Sequence, residues 1–292
     1  MKSFEMKIFP YLMLLPMMII FTTFLFWPAI NGFWISLHRW DGLNEMVFLG
    51  TDNYTRLWGD RHFVRAFRGT MVFTAITVPS IYVVSLALAL MLTRKIKASN
   101  LFRAIFYWPT MISTIIVGLS WRFLLGESFG LVNYVLVTFF GMEPVRWMTN
   151  ANMALFTVVF VTTWSMAGYY MVMLIAGLKS ISETYYEAAE IDGASFWQQF
   201  FAITLPLLRP MSLLVLVLST VAVVRSYPLI LALTGGGPAG ATRFMVQQIH
   251  ETGFSRQQMG YASAMAVVLF CVLAILTAVQ FRVNRGGGQD AS

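Results

Sequence analysis

Charged residues fall in short clusters along this chain, and between the clusters run uncharged, mostly apolar tracts at 8–37, 69–93, 104–121, 147–178, 210–224 and 257–281. About 20 apolar residues in a helix cross the hydrocarbon of a bilayer, so the pattern predicts six transmembrane helices. They fall at 9–30, 70–92, 104–125, 153–178, 211–233 and 259–281. The fifth is interrupted by Arg225. In the first, Pro10 stands at the entry and Pro16 inside, which a crossing tolerates when its neighbours satisfy the freed carbonyl. Trp27, Trp34 and Trp40 suit the far interface, where amphipathic rings collect. Lys2 and Lys7 precede this tract as they would a secretory leader, but it exceeds the usual signal core and no small-x-small site closes it. The expected fold is therefore all-α and polytopic, with 1–292 as a single transmembrane domain.

One stretch between the fourth and fifth tracts, 180–210, is amphipathic and carries four acids, Glu183, Glu187, Glu190 and Asp192. Two capping boxes can be read in it, Ser180 with Glu183 and Ser195 with Gln198. Gly193 lies between the two helical patterns, where a left-handed turn costs glycine nothing. Pro206 and Pro210 are expected to stop the second helix. The segment reads as a bent helix pair held at the membrane surface by its apolar flanks.

Its residues resemble a known signature. Glu187-Ala188-Ala189, Asp192-Gly193-Ala194, Phe200, Ile203, Leu205-Pro206 and Pro210 stand at the spacing found in importer permeases of the ATP-binding-cassette type, in the sugar-importer branch that contains the maltose and glycerol-3-phosphate permeases. Smaller matches agree: Phe48-Leu-Gly50 with Asn53-Tyr54, Phe63 with Ala66 and Thr70, Gly130 with Asn133, and Gly236-Gly237-Pro238. Gly69 departs from the family's usual Asn. The resemblance implies a coupling loop at 180–210 that docks into a cytoplasmic ATPase, through Glu187, Ala188, Ala189, Asp192, Gly193, Ala194, Phe200 and Pro206. It also implies a second homologous permease, commonly different from the first, two ATPase subunits carrying ATP and Mg, and an extracytoplasmic solute-binding protein. The implied location is the bacterial or archaeal cytoplasmic membrane with both termini cytoplasmic.

Composition excludes several other classes. The chain has 292 residues, 58% hydrophobic and 11% charged, with mean hydropathy +0.69, where a soluble domain carries about 25% charged residues. The net charge of +7 does not point to nucleic acid, since the basic residues are scattered without a nucleic-acid-binding motif. Cys271 is the only cysteine, so no disulfide forms within the chain, and it reads as a buried small hydrophobe. His38, His62 and His250 lack metal-ligand spacing. No phosphate-binding Gly-x-x-x-x-Gly-Lys-Ser/Thr loop is present, which argues against ATP hydrolysis or any cofactor in this chain. Lys and Arg number ten on the side of the termini and nine on the other, with Arg225 set aside, so total charge barely orients the protein. The dense group Arg94, Lys95, Lys97 and Arg103 favours termini inside.

On the importer reading, the substrate route runs along the fourth to sixth helices. Trp164, Tyr169, Tyr170, Ser226 and Tyr227 offer aromatic faces and hydroxyls suited to a carbohydrate, an oligosaccharide or sugar derivative; packing between helices is the competing role for each. Arg225 is expected to lie in the membrane, at an insertion cost of about 2.5–3.5 kcal/mol, and so to find a partner or a wet cavity. It pairs with a structural or gating group, or with an anionic substrate such as glycerol-3-phosphate or a similar polyol ester. Gly235, Gly236, Gly237 and Pro238 form a rigid turn on the outer side. A gradient-driven secondary transporter is the other alternative, and it leaves the 180–210 loop without a role.

Overall fold

The computed structural model describes residues 2–93 and 98–285; Arg94, Lys95 and Lys97 of the basic group lie outside the described residues. The chain is almost wholly helical. The first helices are α1 (Lys2–Phe21) and α2 (Trp27–Ser36), joined without a break by a π-helical turn at Thr22–Phe26. Pro28 explains that turn, because a proline has no N–H for the i−4 carbonyl and its ring pushes that carbonyl aside, which a π-turn absorbs. Next come a two-residue antiparallel ladder of β1 (His38–Arg39) with β2 (Val47–Phe48), pairing His38 with Phe48 and Arg39 with Val47, then α3 (Asp52–Gly59) and α4 (Arg61–Thr93). They are followed by α5 (Ser99–Tyr107), a 3-10 turn at Trp108–Met111, α6 (Thr114–Leu124), α7 (Leu131–Phe140) and α8 (Ala151–Lys179). The remainder is α9 (Glu183–Ile191), α10 (Phe196–Gln199), α11 (Leu205–Leu207), α12 (Arg209–Val224), α13 (Tyr227–Thr234), α14 (Met245–His250) and α15 (Met259–Arg285).

Among the described residues, four helices are long and apolar enough to cross a membrane, Leu12–Ser36, Arg61–Thr93, Ala151–Lys179 and Met259–Val283. Two bent pairs, Ser99–Met111 with Thr114–Leu124 at 98° and Phe196–Leu207 with Arg209–Val224 at 68°, raise the number to six if each is one span. The expected straight third helix at 104–125 is thus corrected to a sharply bent pair, because Pro109 ends α5 and Ile112 turns to extended backbone before α6 begins. The expected fifth helix at 211–233 is likewise broken: α12 stops at Val224 and α13 restarts at Tyr227, with Pro228 in its first turn.

The chain divides into two compact units. Unit 1 comprises residues 1–64 and 248–271. Its apolar side chains from Leu12 to Phe26 are exposed, in keeping with a helix that faces lipid or a partner. Phe33 meets Phe270 edge to face, with ring centroids 6.0 Å apart.

Unit 2 comprises residues 65–247 and 272–292 and holds the main apolar core. Phe73, Ile81, Leu92, Val158, Met171, Leu174, Leu208, Val215, Leu229 and Leu233 are fully buried there. Asn150 caps α8 by accepting from the Asn152 and Met153 amides at 3.0 and 3.2 Å, and the long α8 runs through the middle of the core. Gly168 sets the position of the bend at the third span: a Cβ there would lie 1.9 Å from the Phe106 carbonyl oxygen, so only glycine lets the end of α5 rest on α8. Ser85 fixes α4 to the same region of α8 by donating its hydroxyl proton to the Ala167 carbonyl at 2.9 Å.

Candidate functional site

The polar segment after α8 folds as a helical hairpin. Its first cap lies two residues beyond the expected one. Ser180 donates to the Gly177 carbonyl at 2.7 Å and so closes α8, while Ser182 caps α9 by accepting from the Thr184 amide. Helix α9 ends in a Schellman turn, with the Ala194 amide reaching back to the Ala189 carbonyl at 2.9 Å across Gly193, whose φ is +75°. Ser195 then opens α10 with the expected capping box, its amide bonding Gln198 Oε1 at 2.7 Å.

A π-turn at Phe200–Thr204 carries the helix into Pro206, as at Pro28. The expected stop at Pro206 and Pro210 is corrected accordingly: the break comes at Leu208, and Pro210 sits in the first turn of α12. Tyr186 and Thr204 exchange a hydroxyl hydrogen bond of 3.0 Å that ties the two arms together.

The outer surface of this hairpin is unlike an ordinary soluble turn. Ile191 is 87% exposed and Trp197 64%, and Tyr185, Phe196 and Phe201 are exposed beside them. Trp197, Phe200 and Phe201 form one aromatic group with centroids 5.0–6.2 Å apart. Glu183, Glu187, Glu190 and Asp192 are exposed and take no ion-pair partner among the described residues. Of the residues expected to couple to an ATPase, Glu187, Ala188, Asp192 and Gly193 are exposed, and Ala189, Ala194, Phe200 and Pro206 are half-buried. An apolar knob ringed by unpaired acids fits a cleft with apolar walls and basic margins.

The residues expected along the substrate route separate into three places. Tyr169 and Tyr170 on α8 line a cavity of about 420 Å³ together with Tyr107, Thr110, Thr114 and Ser165. Its wall includes the bend after α5, and among the described residues no charged side chain lines it. Trp164 packs edge-on against Trp121 at 5.3 Å instead. Arg225 and Ser226 occupy the break between α12 and α13 and Tyr227 opens α13, and none of them lines this cavity. Ser226 is buried and donates to the Val223 carbonyl at 2.6 Å. Arg225 is exposed on this chain and stands one residue beyond the end of α12, at the break in the expected fifth span. Cys271 is also exposed, contrary to the expectation of a buried thiol.

Tyr107, Thr110 and Thr114 escape the sequence reading, since they reach Tyr169 only through the bend; the available signal was the proline after Tyr107-Trp108. The glycine turn is tightly pinned. Gly235 and Gly236 have φ of +64° and +87°, Thr242 donates to the Gly237 carbonyl at 2.7 Å, and the Gln247 amide donates to that of Gly235 at 3.2 Å.

Residues 62–286 match the protein family described as binding-protein-dependent transport system inner membrane component. The chain is similar to the trehalose/maltose transport system permease protein MalF of Thermococcus litoralis, 34% identical over 94% of this chain and 93% of that one. It is also similar to the sn-glycerol-3-phosphate transport system permease protein UgpA of Brucella abortus, 32% identical over 96% of each. Among solved structures it resembles a chain of a bacterial alginate transporter in complex with an alginate pentasaccharide-bound periplasmic protein, with a TM-score of 0.83, 25% identity and coverage of 97% and 96%.

Proposed function

The chain belongs to the family of binding-protein-dependent transport system inner membrane components, and from that premise we propose that it is the permease subunit of an ATP-driven importer of neutral oligosaccharides or sugar derivatives. The whole chain, 1–292, acts as one transmembrane domain, with 180–210 as its coupling loop. ATP and Mg are bound and used by two partner ATPases, and a second, different permease completes the pathway. An extracytoplasmic binding protein delivers the substrate. Both termini face the cytoplasm, which puts the hairpin of α9 and α10 on the ATPase side and the 235–238 turn outside.

The observation that carries the reading is the hairpin itself. Its glycine turn, two caps and π-turn fix a rigid shape, and its acids and apolar side chains are left exposed, as a docking element requires. The substrate class rests on the cavity of Tyr107, Tyr169 and Tyr170. Aromatic faces and hydroxyls without a charge suit a sugar ring better than a phosphate ester, whose recognition calls for a cation or a cluster of backbone amides. The relative named as a trehalose/maltose transport permease supports the same choice.

The polyol-ester reading keeps one observation in its favour, the exposed guanidinium of Arg225 beside the break in α12. Proteoliposomes holding the complete complex test both. Uptake of a neutral oligosaccharide that requires ATP and the binding protein is the expected result, and Arg225→Leu leaves it intact. Uptake driven by an ion gradient without ATP contradicts the proposal, and selective loss of glycerol-3-phosphate uptake in Arg225→Leu favours the second reading.

A further inference from the structure

In unit 1, the strap after α2, helix α3 and the start of α15 enclose a cavity of about 470 Å³. It is separate from the tyrosine cavity of unit 2 and shares no lining residue with it. Its volume falls in the range of about 300–1,000 Å³ typical of small-molecule sites.

Its walls are held before any ligand arrives. The Gly260 amide donates to the Trp40 carbonyl at 3.1 Å, and the Gly260 Cα lies so close to the His38 carbonyl that a Cβ would sit 2.0 Å from it. Asn53, only 5% exposed, fixes the strap from the other side by donating to the Ser36 and His38 carbonyls at 2.8 and 3.0 Å. The Arg56 guanidinium lies 4.3 Å over the Tyr261 ring and donates to Gln258 Oε1 at 3.4 Å. The Tyr261 hydroxyl donates in turn to Asp60 at 3.0 Å.

The chemistry of the lining is balanced. Arg39 and Arg56 are offset by Asp41 and Glu45, so the lining carries no excess charge to attract an anion. Asp41 is engaged by the Leu43 and Asn44 amides, and Arg56 by Tyr261. The side chains of Arg39, Glu45 and Gln257 are exposed and take no hydrogen-bond or ion-pair partner among the described residues, which leaves donors and acceptors available in the cavity lining. The Trp40 indole N–H is already bonded to the Asn44 carbonyl at 2.9 Å, so what this residue offers a ligand is an apolar ring. Donors, acceptors and a flat aromatic surface together match the vicinal hydroxyls and apolar face of a sugar ring.

We propose that this cavity is a second saccharide-binding subsite, on the outer surface of the protein, taking a neutral sugar unit through Arg39, Glu45 and Gln257 with Trp40 as its apolar platform. The proposal deepens the carbohydrate-import reading and rests on it for the choice of ligand. A subsite at this place holds one end of an oligosaccharide on the permease as the binding protein releases it.

The test uses the complete transporter in nanodiscs without its binding protein, with maltose, trehalose and maltopentaose as probes in calorimetric titration. Arg39→Ala combined with Gln257→Ala is expected to weaken one component of saccharide binding by about tenfold, the scale of losing two polar contacts. Tyr169→Ala is expected to leave that component unchanged. Saccharide binding identical in the double variant and the wild type overturns the subsite. So does a double variant that binds sugar normally but captures the binding protein poorly, which would make the cavity a protein-docking pocket. ATP-driven uptake of the same sugars, measured on the same complex with its binding protein restored, reports separately on the transport reading.

Discussion

Replacing Gly193 by valine strains the coupling hairpin at one residue and at no other. The glycine holds φ at +75°, and a Cβ placed on it meets no atom within 4 Å, so the substitution introduces no clash. The cost is conformational, about 1–2 kcal/mol for an L-residue in the left-handed region, and at the upper end for a β-branched side chain. That is small beside a typical folding stability of about 5–15 kcal/mol, so the protein is expected to fold and insert. It is large for a local turn, because about 1.4 kcal/mol changes a two-state population tenfold.

The Ala194 to Ala189 bond and the angle between α9 and α10 then give way, and the exposed knob of Ile191 and Trp197 no longer presents one fixed shape to the proposed ATPase partner. Gly193→Asn is the control, since asparagine enters the left-handed region more readily. The assay is ATP hydrolysis by the reconstituted complex, with and without substrate-loaded binding protein, alongside the yield of assembled complex. The valine variant is expected to assemble but lose most of its substrate-stimulated hydrolysis, while the asparagine variant keeps most of it. Normal stimulation in Gly193→Val, or equal loss in both variants, refutes the reasoning.

Reporter fusions ending near Lys97 and near Gly236 are expected to lie on opposite sides of the membrane, the first cytoplasmic; agreement between them defeats the six-span topology. Tyr169→Ala, which strips an exposed ring from the cavity wall without opening the core, is expected to raise the half-saturating sugar concentration about tenfold, as loss of an aromatic contact worth about 0.5–1.5 kcal/mol allows at its upper end. Unchanged uptake kinetics in that variant remove this cavity from the route.

The sequence pattern located some elements closely and others poorly, for physical reasons. Helices expected at 153–178 and 259–281 appear as Ala151–Lys179 and Met259–Arg285, because uninterrupted apolar runs and, for the former, the Asn150 cap define them locally. The bend of 98° after α5 was not legible, since hydropathy reports how much apolar chain there is and not its direction. Pro109 marked the place, but the approach of Phe106 to Gly168 that sets the geometry is a contact between distant residues. The hairpin was legible because its turn and second cap depend on neighbouring residues. Its first cap slipped from Ser180 to Ser182 since both serines precede Glu183, and only the end of α8 decides between them. The cavity of Tyr107 and Tyr169 and the polar cavity beside Trp40 and Tyr261 join residues far apart in the chain, which spacing alone does not bring together.

The central claim, that this chain is one permease in a heteromeric importer, is tested most directly by native mass measurement of the complex purified through this subunit. The account expects one copy of this chain with one different permease and a pair of ATPases, joined by a binding protein when substrate is added. A lone chain that transports its substrate by itself would contradict it.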